Sequence, residues 1–187
     1  MNNATANSRL PQVVQQNTGV REQYLTFTLD GEMFAIPIRH IKEIIEYSEL
    51  TEVPMMPRVI RGVINLRGSV VPVVDLSVRF GRRASQTGRR SCIVIIETDT
   101  DISSQYIGVI VDAVNEVLEI DQSDIEPAPA FGARVRSDFI QAMGKIGAKF
   151  IIMLDVTQVL SLDEISQFDE AQVIGRLSEI EAPPSDA

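Results

Sequence analysis

Thirteen residues of this chain occur twice, and that repeat limits the folds open to it. Phe34–Glu46, FAIPIRHIKEIIE, aligns without a gap with Ile107–Glu119, IGVIVDAVNEVLE, at an offset of 73 (107 − 34). Apolar residues coincide at Phe34/Ile107, Ile36/Val109, Ile38/Val111, Ile41/Val114, Ile44/Val117 and Ile45/Leu118. Ala35 meets Gly108, and Glu43 and Glu46 meet Glu116 and Glu119. A looser echo follows between Ile60–Leu76 and Ile140–Val156, each an apolar strand, a turn at Gly68 or Gly147, and a second apolar strand closed by Asp75-Leu or Asp155-Val. Two copies are too few for a solenoid, whose units need several neighbours to bury their faces. The repeat therefore predicts two related β modules packed side by side, each closing its small sheet into a barrel so that no edge is left open.

The local signals agree with strands. Leu25, Phe27 and Leu29 alternate with Tyr24, Thr26 and Thr28, the two-residue period of a half-buried strand, and Asp30-Gly31 supplies a hairpin turn. The return strand Glu32–Ile38 carries Pro37, which cannot donate to a ladder, so it lies at an edge or ends there. A helical turn through Arg39–Lys42 follows. Val59–Leu66 and Val70–Val74 are rich in β-branched residues and fold back through Arg67-Gly68-Ser69. Arg67 is the anomaly here, a cation at the tip of an apolar hairpin, and on its own it reads as a solvated turn residue. Residues 1–22 are polar and aperiodic, the composition of a disordered lead, and residues 23–160 form the double module. From residue 161, a capping box at Ser161–Glu164 and apolar residues Ile165, Phe168, Leu177 and Ile180 predict a C-terminal helix packed on the barrels, with a frayed tail.

At 187 residues the chain has room for such a core, and no apolar run approaches the roughly 20 residues of a membrane-spanning helix. The opening residues offer no apolar stretch for a signal peptide, and the single cysteine permits no internal disulfide. The expectation is a cytoplasmic protein with Cys92 a structural thiol in an apolar run. A formal net charge of −9 opposes nonspecific binding to nucleic acid, yet the charge is segregated. Five arginines fall within Arg79–Arg90, which reads as a solvated loop, whereas residues 162–187 hold seven acids and one arginine.

Chemistry-bearing constellations are scarce. Asp75 and Asp155 each end an apolar strand and open a short helical pattern, DLSVRF or DVTQVL, where a carboxylate serves as N-cap rather than as acid or base. His40 has no companions at metal-ligand spacing, and Arg61-Gly62 and Arg67-Gly68 lack the helix start a phosphate loop needs. No catalytic residue, metal or cofactor is expected.

From about Gln23 to Glu164 the chain resembles the CheW family of bacterial chemotaxis adaptors. GVINLRGSVVPVVDL at Gly62–Leu76 is similar to the family's most characteristic segment, and the run Pro127–Pro129 and the strand IGVIVDAVNEVL at Ile107–Leu118 also match. The resemblance implies a mainly β fold of two five-stranded SH3-like barrels with short helical turns. It also implies a noncatalytic scaffold bridging the regulatory domain of the histidine kinase CheA and the cytoplasmic tips of methyl-accepting chemoreceptors, near the membrane only through those receptors. Carried over by position, the receptor groove would be lined by Leu25, Ile38, Ile41, Ile44 and Val114, with Glu43 and Arg67 as a charge pair beside it. By apolar character alone the same five residues would close a core between the modules. Kinase contact falls on the second module, at Phe139, Ile146, Phe150 and Ile152. The arginine-rich loop and the acidic extension depart from the family's short forms. A homologue serving a non-flagellar pathway for pili or biofilm is the near alternative. A nucleic-acid-binding barrel is disfavoured by the scarcity of aromatic residues, 5% with no tryptophan.

Overall fold

In the computed structural model, residues 21–99, 104–129, 135–161, 163 and 165 are described. Eleven strands fall in two sheets. They are β1 (Arg21–Leu29), β2 (Glu32–Pro37), β3 (Ile41–Glu46), β4 (Ile60–Leu66), β5 (Ser69–Asp75), β6 (Cys92–Asp99), β7 (Ser104–Val111), β8 (Ala113–Asp121), β9 (Ile125–Glu126), β10 (Ile140–Ile146) and β11 (Lys149–Leu154). Two single-turn helices, α1 (Leu76–Arg79) and α2 (Val156–Val159), follow β5 and β11. The fold is mainly β, as expected. One sheet has the order β3-β6-β7-β5-β4 and the other β8-β1-β2-β11-β10-β9, in which the two-residue β9 is a sixth strand beyond the five expected.

The repeat is visible in the topology, but the two halves are not confined to one sheet each. β2 crosses to β3 through a 3₁₀ turn at Ile38–His40, passing from the second sheet to the first, and β7 returns to β8 through Asp112. Phe34–Glu46 and Ile107–Glu119 are these two crossings. Matching β1, β2, β3, β4 and β5 with β6, β7, β8, β10 and β11 turns one strand order into the other. Each sheet therefore contains strands from both halves, joined by the parallel pairs β5–β7 (Val74↔Val109) and β2–β11 (Phe34↔Ile152). Even the bulges correspond: the register slips between Ile60 and Gly62 in β4 and between Ile140 and Ala142 in β10.

This interleaving buries both faces of the central strands. Leu25, Phe27, Phe34, Ile36, Val94, Ile96, Ile107 and Val109 form the main apolar cluster, between the sheets. The alternate residues fill the interior of each curled sheet. Ile45 of β3 and Ile64 and Leu66 of β4, from the two ends of the first sheet, share a cluster with Val73, Ile93, Ile95 and Ile110. Leu118 and Ile120 of β8 and Ala142 and Ile146 of β10 do the same around Tyr24, Ala35, Ile151 and Met153. Tyr24 and Thr26 are consequently buried rather than facing solvent as a half-buried strand would require. Thr26 makes this tolerable by donating from Oγ1 to the Glu116 carbonyl at 2.8 Å, where the β1–β8 ladder is bulged. Gly108 faces the interior so closely that a Cβ there would lie 2.8 Å from Cγ2 of Ile93, so the position admits no side chain without displacement.

Pro37 ends β2, and β2 is an inner strand rather than an edge. The arginine run also divides. Arg79 is buried in α1, donating from Nε to the Val159 carbonyl at 2.8 Å and from Nη2 to the Gln158 carbonyl at 3.1 Å. Those bonds tie α1 to the end of α2, and the guanidinium also lies 4.5 Å from the ring centre of Phe139, in the 3₁₀ turn before β10, a cation–π contact. Arg82 pairs with Asp30 and Glu32. Only the rest of the run is the solvated loop anticipated. Arg21 and Glu22, assigned by composition to the leading segment (1–22), instead open β1, paired with Asp121 and Ile120 of β8. The rest of that segment and most of the C-terminal helix lie outside the described residues. Ile165 is buried in the main cluster, with its N–H on the Ser161 carbonyl.

Candidate functional site: an apolar seam beside a charge pair

Antiparallel partners directly opposite one another point to the same face of a sheet. Ile41 pairs with Ile96 and Ile44 with Val94, both members of the cluster between the sheets, so edge strand β3 extends that cluster outward. Ile41 is half-buried against the cluster, while Ile44 is 42% exposed at its margin. Strand β8 does the same from the other sheet: Val114 pairs with Phe27 and is half-buried, and Val117 pairs with Leu25 and is 51% exposed. The crossing turn adds Ile38, 36% exposed, and packs against β1 and β6. Of the five candidate groove residues, Leu25, Ile41 and Val114 thus meet on one cluster and Ile38 and Ile44 reach solvent. Leu25, only 3% exposed, is a floor residue rather than a surface. Val117 was missed, although the repeat pairs it with Ile44 and so carried the signal.

The charge pair is present. Arg67 Nη2 donates to Glu43 Oε2 at 2.9 Å. Its position follows from the turn: Arg67 (φ 52°) and Gly68 (φ 92°) both take the left-handed conformation, the two-residue loop whose twist matches the flanking strands. Asn65 Oδ1 accepts the Gly68 N–H at 2.8 Å and fixes that loop. Glu43 follows the β3 bulge between Ile41 and Glu43. The contact joins the β4–β5 tip to β3, the two ends of one sheet. With the Arg67 side chain 77% exposed the pair contributes about 0–1 kcal/mol to stability, so its effect is on orientation at the surface.

Of the candidate kinase residues, Ile146, Phe150 and Ile152 fall on both faces of the second sheet and Phe139 lies in the 3₁₀ turn before β10. Phe139 is fully buried, lying between the guanidiniums of Arg79 and Arg136, 4.5 and 4.6 Å from its centre. Ile146 packs inside the curled sheet and Ile152 against the main cluster. Phe150 alone offers a large exposed apolar surface, at 52%.

The two strand-end aspartates are structural. Asp75 is fully buried and saturated, accepting from the Ser77 and Val78 N–H groups (3.0 and 3.4 Å), Arg61 Nη1 (2.9 Å), and the N–H and hydroxyl of Ser85 (2.9 and 2.8 Å). It is the N-cap the sequence suggested, as is Asp155, which accepts from the Gln158 N–H. The shifted titratable groups are not seam residues: the N–H and hydroxyl of Ser123 lower the pKa of Asp121, the Arg136 guanidinium lowers that of Asp138, and burial raises that of Tyr24. Among the described residues no cluster of three or more His, Cys, Asp or Glu could hold a metal, and no helix is long and apolar enough to cross a membrane.

Paired β sheets with an apolar seam open at their margin place the chain in the class of two-module β scaffolds. A model of the CheW-like domain matches residues 23–164, and the chain belongs to the CheW family. It is 30% identical over 150 residues to the chemotaxis protein CheW of Klebsiella aerogenes, covering 80% of this chain and 88% of that one. To CheW of Bacillus subtilis it is 32% identical over 139 residues, 74% of this chain and 86% of that one. The crystal structure of the scaffolding protein TtCheW from Thermoanaerobacter tengcongensis superposes with a TM-score of 0.67 at 34% identity, covering 73% of this chain and 90% of that chain.

Proposed function

We propose that this protein is a noncatalytic cytoplasmic adaptor that couples chemoreceptor tips to the regulatory domain of the kinase CheA, reaching the membrane only through the receptors. The observation that carries this reading is the seam: Ile38, Ile41, Ile44, Val114 and Val117 continue the cluster between the sheets to the surface, with Glu43 and Arg67 bonded beside it. An amphipathic receptor helix fits such a surface by laying its apolar face into the groove. The kinase is assigned to the β10–β11 hairpin, where Phe150 is the exposed anchor. Two separate faces let one chain hold both partners, and each interface need bury only about 800 Å² per partner or less because an array adds avidity.

The test is reconstitution from purified components. The chain, a CheA regulatory domain and a soluble receptor signalling fragment should co-elute as a ternary complex, and receptor and kinase should bind without competing. Failure to bind either partner, or mutual exclusion, overturns the proposal. A charge-reversal cycle addresses the pair: Arg67→Glu is expected to lower kinase activation in the reconstituted array about tenfold, an energy of about 1.4 kcal/mol, and adding Glu43→Arg to restore part of it. Losses that simply add would show that the two residues act separately.

A further inference from the structure

Arg83, Arg89 and Arg90, in the loop between α1 and β6, are exposed and make no ion pair among the described residues. The backbone of the loop that carries them is pinned. Ser85 gives both its N–H and its hydroxyl to Asp75, the Gly88 N–H donates to Ser91 Oγ, and the Ser91 N–H donates to the Gly88 carbonyl. Three exposed arginines in one loop of a chain of net charge −9 favour an anionic partner.

The chain carries such a partner. Residues 166–187 contain Asp169, Glu170, Glu179, Glu181 and Asp186 against a single basic residue, Arg176. They follow directly on Ile165, which is buried in the main cluster against which Val78 and Phe80 also pack. Arg79, immediately before Phe80, donates to the carbonyls of Gln158 and Val159. Arg79, which precedes the arginine loop, is thus tied to Val159, six residues before Ile165 (165 − 159). Reach is no obstacle, since 22 residues span up to about 70 Å when extended. A tethered contact of this kind works at an effective concentration in the millimolar range.

We propose that the acidic C-terminal segment 166–187 docks on the arginine loop Arg82–Arg90 of its own chain and screens Arg83, Arg89 and Arg90 from other polyanions. Contacts between exposed charges weaken as salt shortens the screening length to about 10 Å at 0.1 M and 3 Å at 1 M, so the docking is salt-dependent.

The experiment uses the full chain with Cys92→Ser and Ser178→Cys, the new thiol carrying a nitroxide. At 50 mM NaCl the amide signals of residues 83–90 are expected to lose at least half their intensity relative to the reduced label. They should recover at 1 M NaCl, and also when Asp169→Asn, Glu170→Gln, Glu179→Gln and Glu181→Gln are combined. Affinity for heparin, as a probe polyanion, should rise at least tenfold in that neutralised variant, and Arg83→Gln, Arg89→Gln and Arg90→Gln together should remove the gain. Broadening that is absent at low salt, centred elsewhere or indifferent to neutralisation overturns the proposal, as does equal heparin affinity with and without the acids. The arginine triple variant alters only exposed side chains and keeps the test decisive should the neutralised variant fold poorly.

Discussion

Ile44→Asp is expected to weaken binding of a receptor signalling fragment at least thirtyfold, about 2 kcal/mol, while leaving the melting temperature within a few degrees of the parent. The site is suited to that separation. Ile44 is 42% exposed, so an aspartate there stays hydrated in the free protein and costs about 1 kcal/mol. Its partner Val94 belongs to the cluster between the sheets, so any helix seated on the seam would bury the new carboxylate without a counter-charge. Ile41→Asp is a poorer probe, because Ile41 already packs against that cluster and the substitution would lower stability along with binding. Titration calorimetry against the receptor fragment, with the kinase domain as control, reads the effect. Unchanged receptor affinity would remove Ile44 from the interface and the seam from its proposed role.

The second large effect concerns the fold. Asp75→Ala is expected to cost about 3–5 kcal/mol in urea denaturation, a large share of the 5–15 kcal/mol by which domains are stable. The loss exceeds that of a cap because the carboxylate also accepts from Arg61 and twice from Ser85, and removing it leaves these partly buried donors without their acceptor. Its counterpart provides the comparison. Asp155 caps α2 by accepting from the Gln158 N–H, so Asp155→Ala should cost only about 1 kcal/mol. Equal losses at the two positions would mean that the Arg61 and Ser85 contacts add nothing to capping.

Much of this was legible in the residues. Period-two alternation in Leu25–Leu29, the Asp30-Gly31 and Arg67-Gly68 turns, the capping roles of Asp75 and Asp155 and the twofold repeat all report local geometry, which a side-chain pattern encodes directly. What escaped depends on partners distant in sequence. The burial of Tyr24 and Thr26 follows from the curling of their sheet, and neither residue's type announces it. Phe139 reads as a surface candidate until Arg79, sixty residues earlier, is found stacked on it (139 − 79). The same holds for Leu25, whose place in the floor of the seam is set by Val117 and Ile36 on either side. At the site, the resemblance supplied the Glu43–Arg67 pair, whereas Val117 was available from the repeat alone.

The exchange of strands between the two halves has a historical reading. A chain of half this length, lacking a second copy, would leave each of its partial sheets incomplete, because β1 and β2 lie in one sheet and β3, β4 and β5 in the other. Two such chains crossing over one another would complete both sheets, as a homodimer with mutually donated strands. The present molecule has the form of that dimer fused end to end. Fusion releases the halves from being identical, and the divergence is plain where they correspond: one hairpin turns through Arg67 and Gly68 and holds Glu43, the other through Gly147 and Ala148. A symmetric ancestor would have presented the same face twice, whereas the two corresponding hairpins of the fused chain present different faces.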